Sequence, residues 1–167
     1  MRIYLAGTVP KGEEDRSGEW REEYSKVLDR YFDAEFIDPM DRDLDESDFM
    51  AIFGLDCKRI KNSDLVVVCG EGKIGTGTSQ EMVIAKYFGK LVVTVLPEDS
   101  RNRKSEACVN SQKVKNWIHP FLYAFSDFIV DDVRQIGKIK ETILSEDPKD
   151  ISEIDEAVEY VNSLGDK

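Results

Sequence analysis

Short apolar segments alternate with longer amphipathic segments along this chain. Five segments are short and apolar, as is typical of strands buried in a sheet: residues 2–6, 34–37, 65–69, 91–96 and 128–130. Elsewhere apolar residues recur every three to four positions. This spacing predicts helices over residues 19–32, 48–61, 78–88, 112–125, 132–144 and 151–164. Residues 98–112 are mostly polar and predict a mobile loop.

The alternation of strands and helices predicts one α/β domain. Strands separated by helices form a parallel sheet with right-handed crossovers and helices on both faces. For a chain of 167 residues we expect a flavodoxin-like (Rossmann-like), five-stranded parallel sheet in the order 2-1-3-4-5. We assign residues 1–145 to this domain and residues 146–167 to a charged helical tail packed on it.

Two loops of this predicted sheet are candidates for binding. In this topology the ligand crevice lies between the carboxyl ends of the first and third strands, which are followed here by residues 7–12 and 70–77. The second loop holds four glycines and leads into a predicted helix. Backbone N–H groups at such a position bind anions or sugars, so we expect the site there.

Residues 70–75 also match the G-x-G-x-x-G motif of dinucleotide-binding proteins. The match is weak, because it follows the third strand, the predicted helix begins only at Thr78, and no acidic residue ends the next strand. A dinucleotide or flavin protein is therefore an alternative. The P-loop is excluded, because no Gly-Lys-Ser/Thr follows the glycines.

Glu81 allows two interpretations. Residues 78–81 have the pattern of a capping box, in which Glu81 only caps its helix. Alternatively, the glycine-rich loop leaves room beside a carboxylate that lies in the crevice. Helix capping needs no such room, and the loop favours the second interpretation.

Asp56 falls on a predicted apolar face. Phe49, Ile52, Phe53 and Ile60 share one face of the second helix, and Asp56 lies four residues from two of them. A carboxylate there is unfavourable unless it is paired, for example with a neighbouring arginine, or lines a cavity. Two carboxylates converging beside a sugar-binding loop are typical of glycosidic bond chemistry.

Charge and composition exclude several classes of function. The net charge of −11, with no basic run, argues against binding nucleic acid polymers or anionic membranes. No signal peptide or membrane span is apparent, and three unpaired-looking cysteines suit a reducing, cytoplasmic location. A single histidine argues against a histidine-rich metal site. The loop aspartates Asp38, Asp41 and Asp43 are a weak alternative for Mg²⁺.

Three stretches carry a resemblance to a known family. They are Tyr4-Leu5-Ala6-Gly7, Asp56 seven residues before Ser63-Asp64-Leu65-Val66-Val67, and Gly75-Thr76-Gly77-Thr78-Ser79-Gln80-Glu81. Over about residues 1–96 the chain resembles the nucleoside 2-deoxyribosyltransferase family, which includes the 2'-deoxynucleoside 5'-phosphate N-hydrolases.

The resemblance implies an enzyme that acts on a nucleoside or its 5'-monophosphate without a metal or organic cofactor. By this resemblance Glu81 is the nucleophile and forms a glycosyl–enzyme ester, Asp56 assists at the sugar or the base, and Tyr4 positions the nucleophile. It also implies a flavodoxin-like fold and a homo-oligomer in which a neighbouring chain completes the site.

The substrate-binding residues depart in part from the family pattern. Gly75 stands where transferases tend to carry aspartate and N-hydrolases serine, whereas Gly77 matches a phosphate-contacting glycine of the hydrolases. The remaining candidates for substrate binding are Gly7, Thr8, Lys73 and Thr78. Two questions stay open at this point: whether the substrate is a nucleoside or a nucleotide, and whether the reaction is transfer or hydrolysis. The alternative from another class is a non-catalytic nucleotide-binding module.

Overall fold

A computed structural model describes residues 1–10 and 18–164. Lys11 and Gly12 of the first candidate loop, and residues 165–167 of the tail, lie outside this part of the chain. The strands are β1 (Arg2–Ala6), β2 (Glu35–Ile37), β3 (Leu65–Cys69), β4 (Leu91–Val95), β5 (Arg103–Val109), β6 (Gln112–Ile118) and β7 (Phe128–Val130). The helices are α1 (Trp20–Leu28), α2 (Phe49–Lys61), α3 (Thr76–Tyr87), α4 (Pro120–Phe125), α5 (Val133–Lys138), α6 (Lys140–Ser145) and α7 (Glu153–Ser163).

The main sheet is parallel and has the order β2-β1-β3-β4-β7. Because β7 is the fifth strand predicted from the sequence, the predicted flavodoxin-like order 2-1-3-4-5 is confirmed. Tyr4 of β1 lies beside Val66 of β3, and Ala6 lies beside Val68. The carboxyl ends of β1 and β3 are therefore neighbours, as the crevice requires.

Alternate residues of the strands face two hydrophobic cores. Ile3 and Leu5 of β1 face a core completed by α1, α5 and α6. Tyr4 and Ala6 face a second core completed by α2, α3 and α4. Tyr4 thus reaches the same side of the sheet as the helices that carry Asp56 and Glu81.

Helix α3 begins two residues earlier than its sequence predicts. Gly75 is the N-cap in an extended conformation, so Thr78 lies inside the helix, where it is buried. The predicted left-handed end is confirmed: Gly89 has φ +60°, its N–H donates to Lys86 O, and the next N–H donates to Ala85 O. This pair of hydrogen bonds is the Schellman motif.

The predictions for residues 98–119 are wrong, and only residues 120–125 of the helix predicted over residues 112–125 are helical. The expected mobile loop and the helix over residues 112–125 are replaced by an antiparallel hairpin, β5–β6, and by the short helix α4. The hairpin turns at Asn110 and Ser111, which have φ of 48° and 65°. Its side chains are mostly exposed on both faces. The sequence of these strands therefore lacks the alternation of polar and apolar residues by which a strand is predicted.

The chain after β7 forms three helices rather than the two predicted. The helix expected over residues 132–144 is interrupted at Ile139, between α5 and α6. The tail contacts the domain before α7, where Lys149 N donates to Asp127 Oδ1 at 2.8 Å and Ile151 packs against the second core. The boundary at residue 145 stays a prediction. In the described ranges no helix combines the length and the apolar character needed to cross a bilayer.

Candidate active site

Tyr4 and Glu81 meet at the carboxyl edge of the sheet. The Tyr4 side chain is fully buried in β1, and its hydroxyl donates to Glu81 Oε1 at 2.6 Å. The other carboxylate oxygen of Glu81, Oε2, is buried and accepts no hydrogen bond from the described residues. The carboxylate is therefore anchored by one oxygen and free at the other.

The surroundings of Glu81 make its ionisation unusual. Burial raises the pKa of Glu81 from 4.5 to about 7, against the hydrogen bond from Tyr4, which favours the charged form. The negative charge of Asp56 raises this pKa further, and the positive charge of Arg21 lowers it. Burial and the two carboxylates also raise the pKa of Tyr4, which therefore stays a proton donor.

The capping-box interpretation of Glu81 is wrong. Because Gly75 rather than Thr78 is the N-cap, Glu81 lies in the second turn of α3 and cannot reach back to cap the helix. Its carboxylate turns to Tyr4 instead. The earlier start of α3 also removes one argument against the dinucleotide motif, whose other two weaknesses remain.

Asp56 lies on α2 and interacts electrostatically with the Tyr4–Glu81 pair. Its Oδ1 is buried and accepts no hydrogen bond from the described residues. Arg59 Nη1 lies 3.9 Å from this oxygen, which is too far for a hydrogen bond, so the predicted alternative of a paired carboxylate is met only by a weak ion pair. Burial raises the pKa of Asp56, while Arg42 and Arg59 lower it.

The first turns of α2 differ from the prediction. Phe49 and Phe53, expected in the core, have exposed fractions of 78% and 52%, whereas Ile60 is fully buried. Ile60, in the last turn, is the residue of α2 that belongs to the buried core. About half of the apolar face predicted from the spacing is therefore exposed to solvent.

Two arginines lie beside Asp56: Arg59, the neighbouring arginine that the sequence analysis considered as a partner, and Arg42, which it missed. Arg42 donates to Glu46 through Nε and Nη2 at 3.0 and 3.1 Å, and to Pro39 O at 2.9 Å. Arg59 donates to Pro39 O at 3.1 Å and to Asp41 O. The acidic loop is thus organised by guanidinium groups. No group of three or more His, Cys, Asp or Glu side chains that could hold a metal ion occurs within residues 1–10 and 18–164.

The loops after β1 and β3 lie side by side, as topology predicts. Thr8 Oγ1 donates to Lys73 O at 3.1 Å. The hydroxyl of Tyr24 in α1 donates to Glu71 Oε1, in the loop after β3, at 2.7 Å. At Gly75 and Gly77 an added Cβ would meet no atom within 4 Å, and neither residue has a positive φ. Neither packing nor backbone conformation within this chain therefore requires glycine there. Close approach of a ligand to the backbone is a reason that remains.

Gly7, in contrast, is required by packing. A Cβ on Gly7 would lie 2.4 Å from the ring of Trp20. Trp20 itself is half-buried in this position.

Comparison with known proteins supports the fold. No protein-family model matches the sequence, and no curated protein matches it either. The solved 2-deoxyribosyltransferase of the psychrotolerant bacterium Bacillus psychrosaccharolyticus is similar at a TM-score of 0.60 and 17% identity, over 89% of this chain and 98% of that one. The chain shares the fold of that 2-deoxyribosyltransferase.

The resemblance inferred from the sequence stretches is thereby confirmed at the level of the fold. A second structure, the Clostridium botulinum CMP N-glycosidase BcmB, is similar at a TM-score of 0.48 and 16% identity, over 84% of this chain and 99% of that one. At these identities the chemistry has to be argued from the residues of this chain.

Proposed function

We propose that this protein is an enzyme that cleaves or transfers at the N-glycosidic bond of a nucleoside or 2'-deoxynucleoside or of its 5'-monophosphate. The observation that carries the proposal is the half-anchored carboxylate of Glu81. Tyr4 fixes one oxygen, and the other is buried with no donor among the described residues, on the helix that the glycine-rich loop leads into. Such an arrangement is costly for stability and useful for a nucleophile.

In the first step the free oxygen of ionised Glu81 attacks C1' of the sugar. The bond from C1' to the base nitrogen breaks through an oxocarbenium-like transition state, and its electron pair leaves with the base. Asp56, whose pKa is raised by burial, supplies the proton that the departing base takes up. The product of this step is a glycosyl ester of Glu81 and the free base.

In the second step water or another base attacks C1' of the ester. The C1'–O bond breaks, the carboxylate of Glu81 is regenerated, and Asp56 regains a proton from the attacking group. Water as the acceptor gives N-hydrolysis, and a second base gives transfer. The 2'-deoxynucleoside 5'-phosphate N-hydrolase reaction is therefore the first alternative within the same chemistry.

The loops around the crevice provide binding groups for the sugar and its 5' substituent. Gly75 leaves the first turn of α3 without a side-chain cap, and the N-terminus of a helix favours negative charge. We assign this end, with Gly77 and Thr78, to the 5' side of the substrate. We assign Gly7, Thr8 and Lys73 to the same binding site, because a hydrogen bond from Thr8 to Lys73 joins the loops after β1 and β3.

The test is chromatography of free base after incubation with a panel of nucleosides, deoxynucleosides and their 5'-monophosphates. Each substrate is tested with and without a second base as acceptor. Release from monophosphates alone identifies an N-hydrolase, and exchange that needs the acceptor identifies a transferase. No release from any substrate contradicts the proposal. In that case nucleotide binding without base release favours the non-catalytic binding module.

The site is proposed to be completed in a homo-oligomer. An apolar groove of about 790 Å³ runs between α3, α4 and α7, beginning at Ser79 and Gln80, directly before Glu81. Around it Phe121 is 72% and Val158 is 55% exposed. A second copy seated in this groove would cover the exposed apolar side chains and stand beside the site.

Light scattering coupled to size exclusion measures the oligomeric state. Val158→Glu is expected to give monomers with reduced base release. Leu144→Glu is the matched control, because Leu144 is similarly exposed at 52% but lies on α6, on the other side of the sheet. A fully active Val158→Glu monomer would contradict the shared site.

A further inference from the structure

Arg21 of α1 is a buried cation at the carboxyl edge of the sheet. Only 3% of this residue is exposed, which is rare for arginine unless its donors are satisfied. Its Nη1 donates to Thr8 O and its Nη2 to Gly7 O, each at 3.0 Å. Its Nε lies 3.4 Å from Leu5 O. The planar guanidinium therefore gathers three carbonyls where β1 passes into its loop.

The same guanidinium reaches the loop after β2. Its Nε lies 3.2 Å from Asp38 Oδ1, which balances the buried charge. The ring of Trp20 covers the guanidinium at 4.6 Å and also packs against Gly7, where no side chain fits. Arg21 is thus held from several sides and has little freedom to move.

The contacts continue to the loop after β3. Thr8, whose carbonyl accepts from Arg21, donates its hydroxyl to Lys73 O at 3.1 Å. One side chain therefore links the loops after β1 and β2 directly, and the loop after β3 through Thr8. The loops after β1 and β3 border the crevice that the topology predicts, and the charge of Arg21 acts on Glu81.

We infer that Arg21 is the positioning residue of the crevice, which holds the loops after β1, β2 and β3 in the arrangement that binds substrate. The expected effects on KM and on the pH dependence of kcat/KM rest on the proposed function. The expected effect of Arg21 on the affinity of the crevice for a nucleotide does not depend on turnover.

Electrostatics provides a second, separable effect of the same residue. The charged and titratable groups that act on Glu81 are Tyr4 from β1, Asp56 from α2 and Arg21 from α1. Arg21 lowers the pKa of Glu81, whereas Asp56 raises it. Removing the positive charge of Arg21 should move the ionisation of Glu81 to higher pH. Replacing the planar guanidinium by another cation should not.

The experiment compares Arg21→Lys and Arg21→Met with the wild-type protein. Lysine keeps the charge but cannot hold both loop carbonyls and Asp38 in the geometry of the fork. We expect both variants to raise KM on the order of tenfold to a hundredfold, as misplaced binding groups do. Only Arg21→Met should move the acid limb of kcat/KM to higher pH.

Lys86→Met is the matched control for lost stability. Lys86 is a fully buried cation at the opposite end of α3, away from these loops. Measured below its unfolding transition, it should be destabilised yet keep the wild-type KM and acid limb. If Arg21→Lys and Arg21→Met also keep both parameters, Arg21 is only structural and the inference is overturned.

Dissociation constants for deoxynucleoside 5'-monophosphates separate this inference from the proposed function. If wild-type protein releases no base but binds a nucleotide, the proposed function fails. A tenfold weaker affinity in Arg21→Lys, absent in Lys86→Met, then still supports the positioning role. If neither base release nor nucleotide binding is found for wild-type protein, both proposals are overturned.

Discussion

The two ends of α3 bury charge in opposite ways. In its N-terminal half, one oxygen of Glu81 and, beside it, one of Asp56 are buried and accept no hydrogen bond from any residue that the structure describes. Near its C-terminal end, Lys86 donates to Asp127 Oδ2 and to Lys90 O. Asp127 also accepts from Val92 N at 2.6 Å and from Lys149 N at 2.8 Å.

The comparison distinguishes a structural charge from a charge available for chemistry. Buried charges contribute to a stable fold when their hydrogen bonds are complete, as at Asp127, which joins α3, β4 and the tail. A buried carboxylate with an unused oxygen lowers stability and keeps its capacity to react. The two ends of one helix therefore make different predictions for mutation.

The largest expected effect is that of Glu81→Gln on turnover. Removing the nucleophilic charge while keeping shape and the acceptor for Tyr4 should lower kcat by roughly three orders of magnitude or more. Chromatography of free base measures this. Asp127→Asn is the control at the other end of α3, and it should lose stability but keep kcat. A fully active Glu81→Gln protein would reject the assignment of the nucleophile.

Glu81→Gln should also change the dependence of stability on pH. The pKa of Glu81 in the folded state, about 7, lies above its ordinary value of 4.5. Folding therefore favours the protonated form, and this contribution is complete below pH 4.5 and is lost as pH rises through 7. Thermal unfolding should show Glu81→Gln more stable than wild type at pH 8, by at most about 3 kcal/mol, with little difference at pH 4.

The largest effect on stability is expected for Lys86→Met. It leaves Asp127 buried without its cation, which costs about 3–5 kcal/mol when a buried pair is broken. Urea unfolding measures the loss. An unchanged free energy of unfolding would mean that the pair at this end of α3 is not structural, and the comparison would fail there.

Tyr4→Phe tests the anchor at the reactive end. Loss of the donor to Glu81 should lower kcat/KM by about tenfold to a hundredfold and move its acid limb to higher pH, because the hydrogen bond from Tyr4 lowers the pKa of Glu81. Tyr24→Phe is the matched control, since Tyr24 is a buried tyrosine whose hydroxyl donates to Glu71. Equal shifts of the acid limb in both variants would argue against a specific anchor.

The smallest effect is expected for Asp48→Ala. Asp48 caps α2, its side chain accepting from Ala51 N at 2.9 Å, and loss of such a cap costs about 1 kcal/mol. Asp132→Ala removes the corresponding cap of α5, on the other face of the sheet. Similar losses of stability are expected, with a fall in kcat/KM only for Asp48→Ala, since α2 carries Asp56. A fall in both would mean that the effect is not local.

The sequence alone determined the sheet and the region of the site. Buried parallel strands are continuous apolar runs, and their order and carboxyl ends follow from general rules of connection. Tyr4 lies in a strand and Glu81 in a helix that were both predicted from the sequence. Their proximity could therefore be predicted as well. The left-handed end at Gly89 was equally local, since it depends on one residue type.

Only the tertiary structure decided which groups are left without partners. The β5–β6 hairpin was missed because its exposed faces impose no periodicity, and the spacing of Val114, Ile118, Leu122 and Phe125 imitates a helix. The start of α3 at Thr76 excluded helix capping by Glu81. Arg21 and Arg59 donate to carbonyls that are distant along the chain. Burial and hydrogen bonding are properties of the packed chain, so the ionisation of Glu81 was not visible in its sequence.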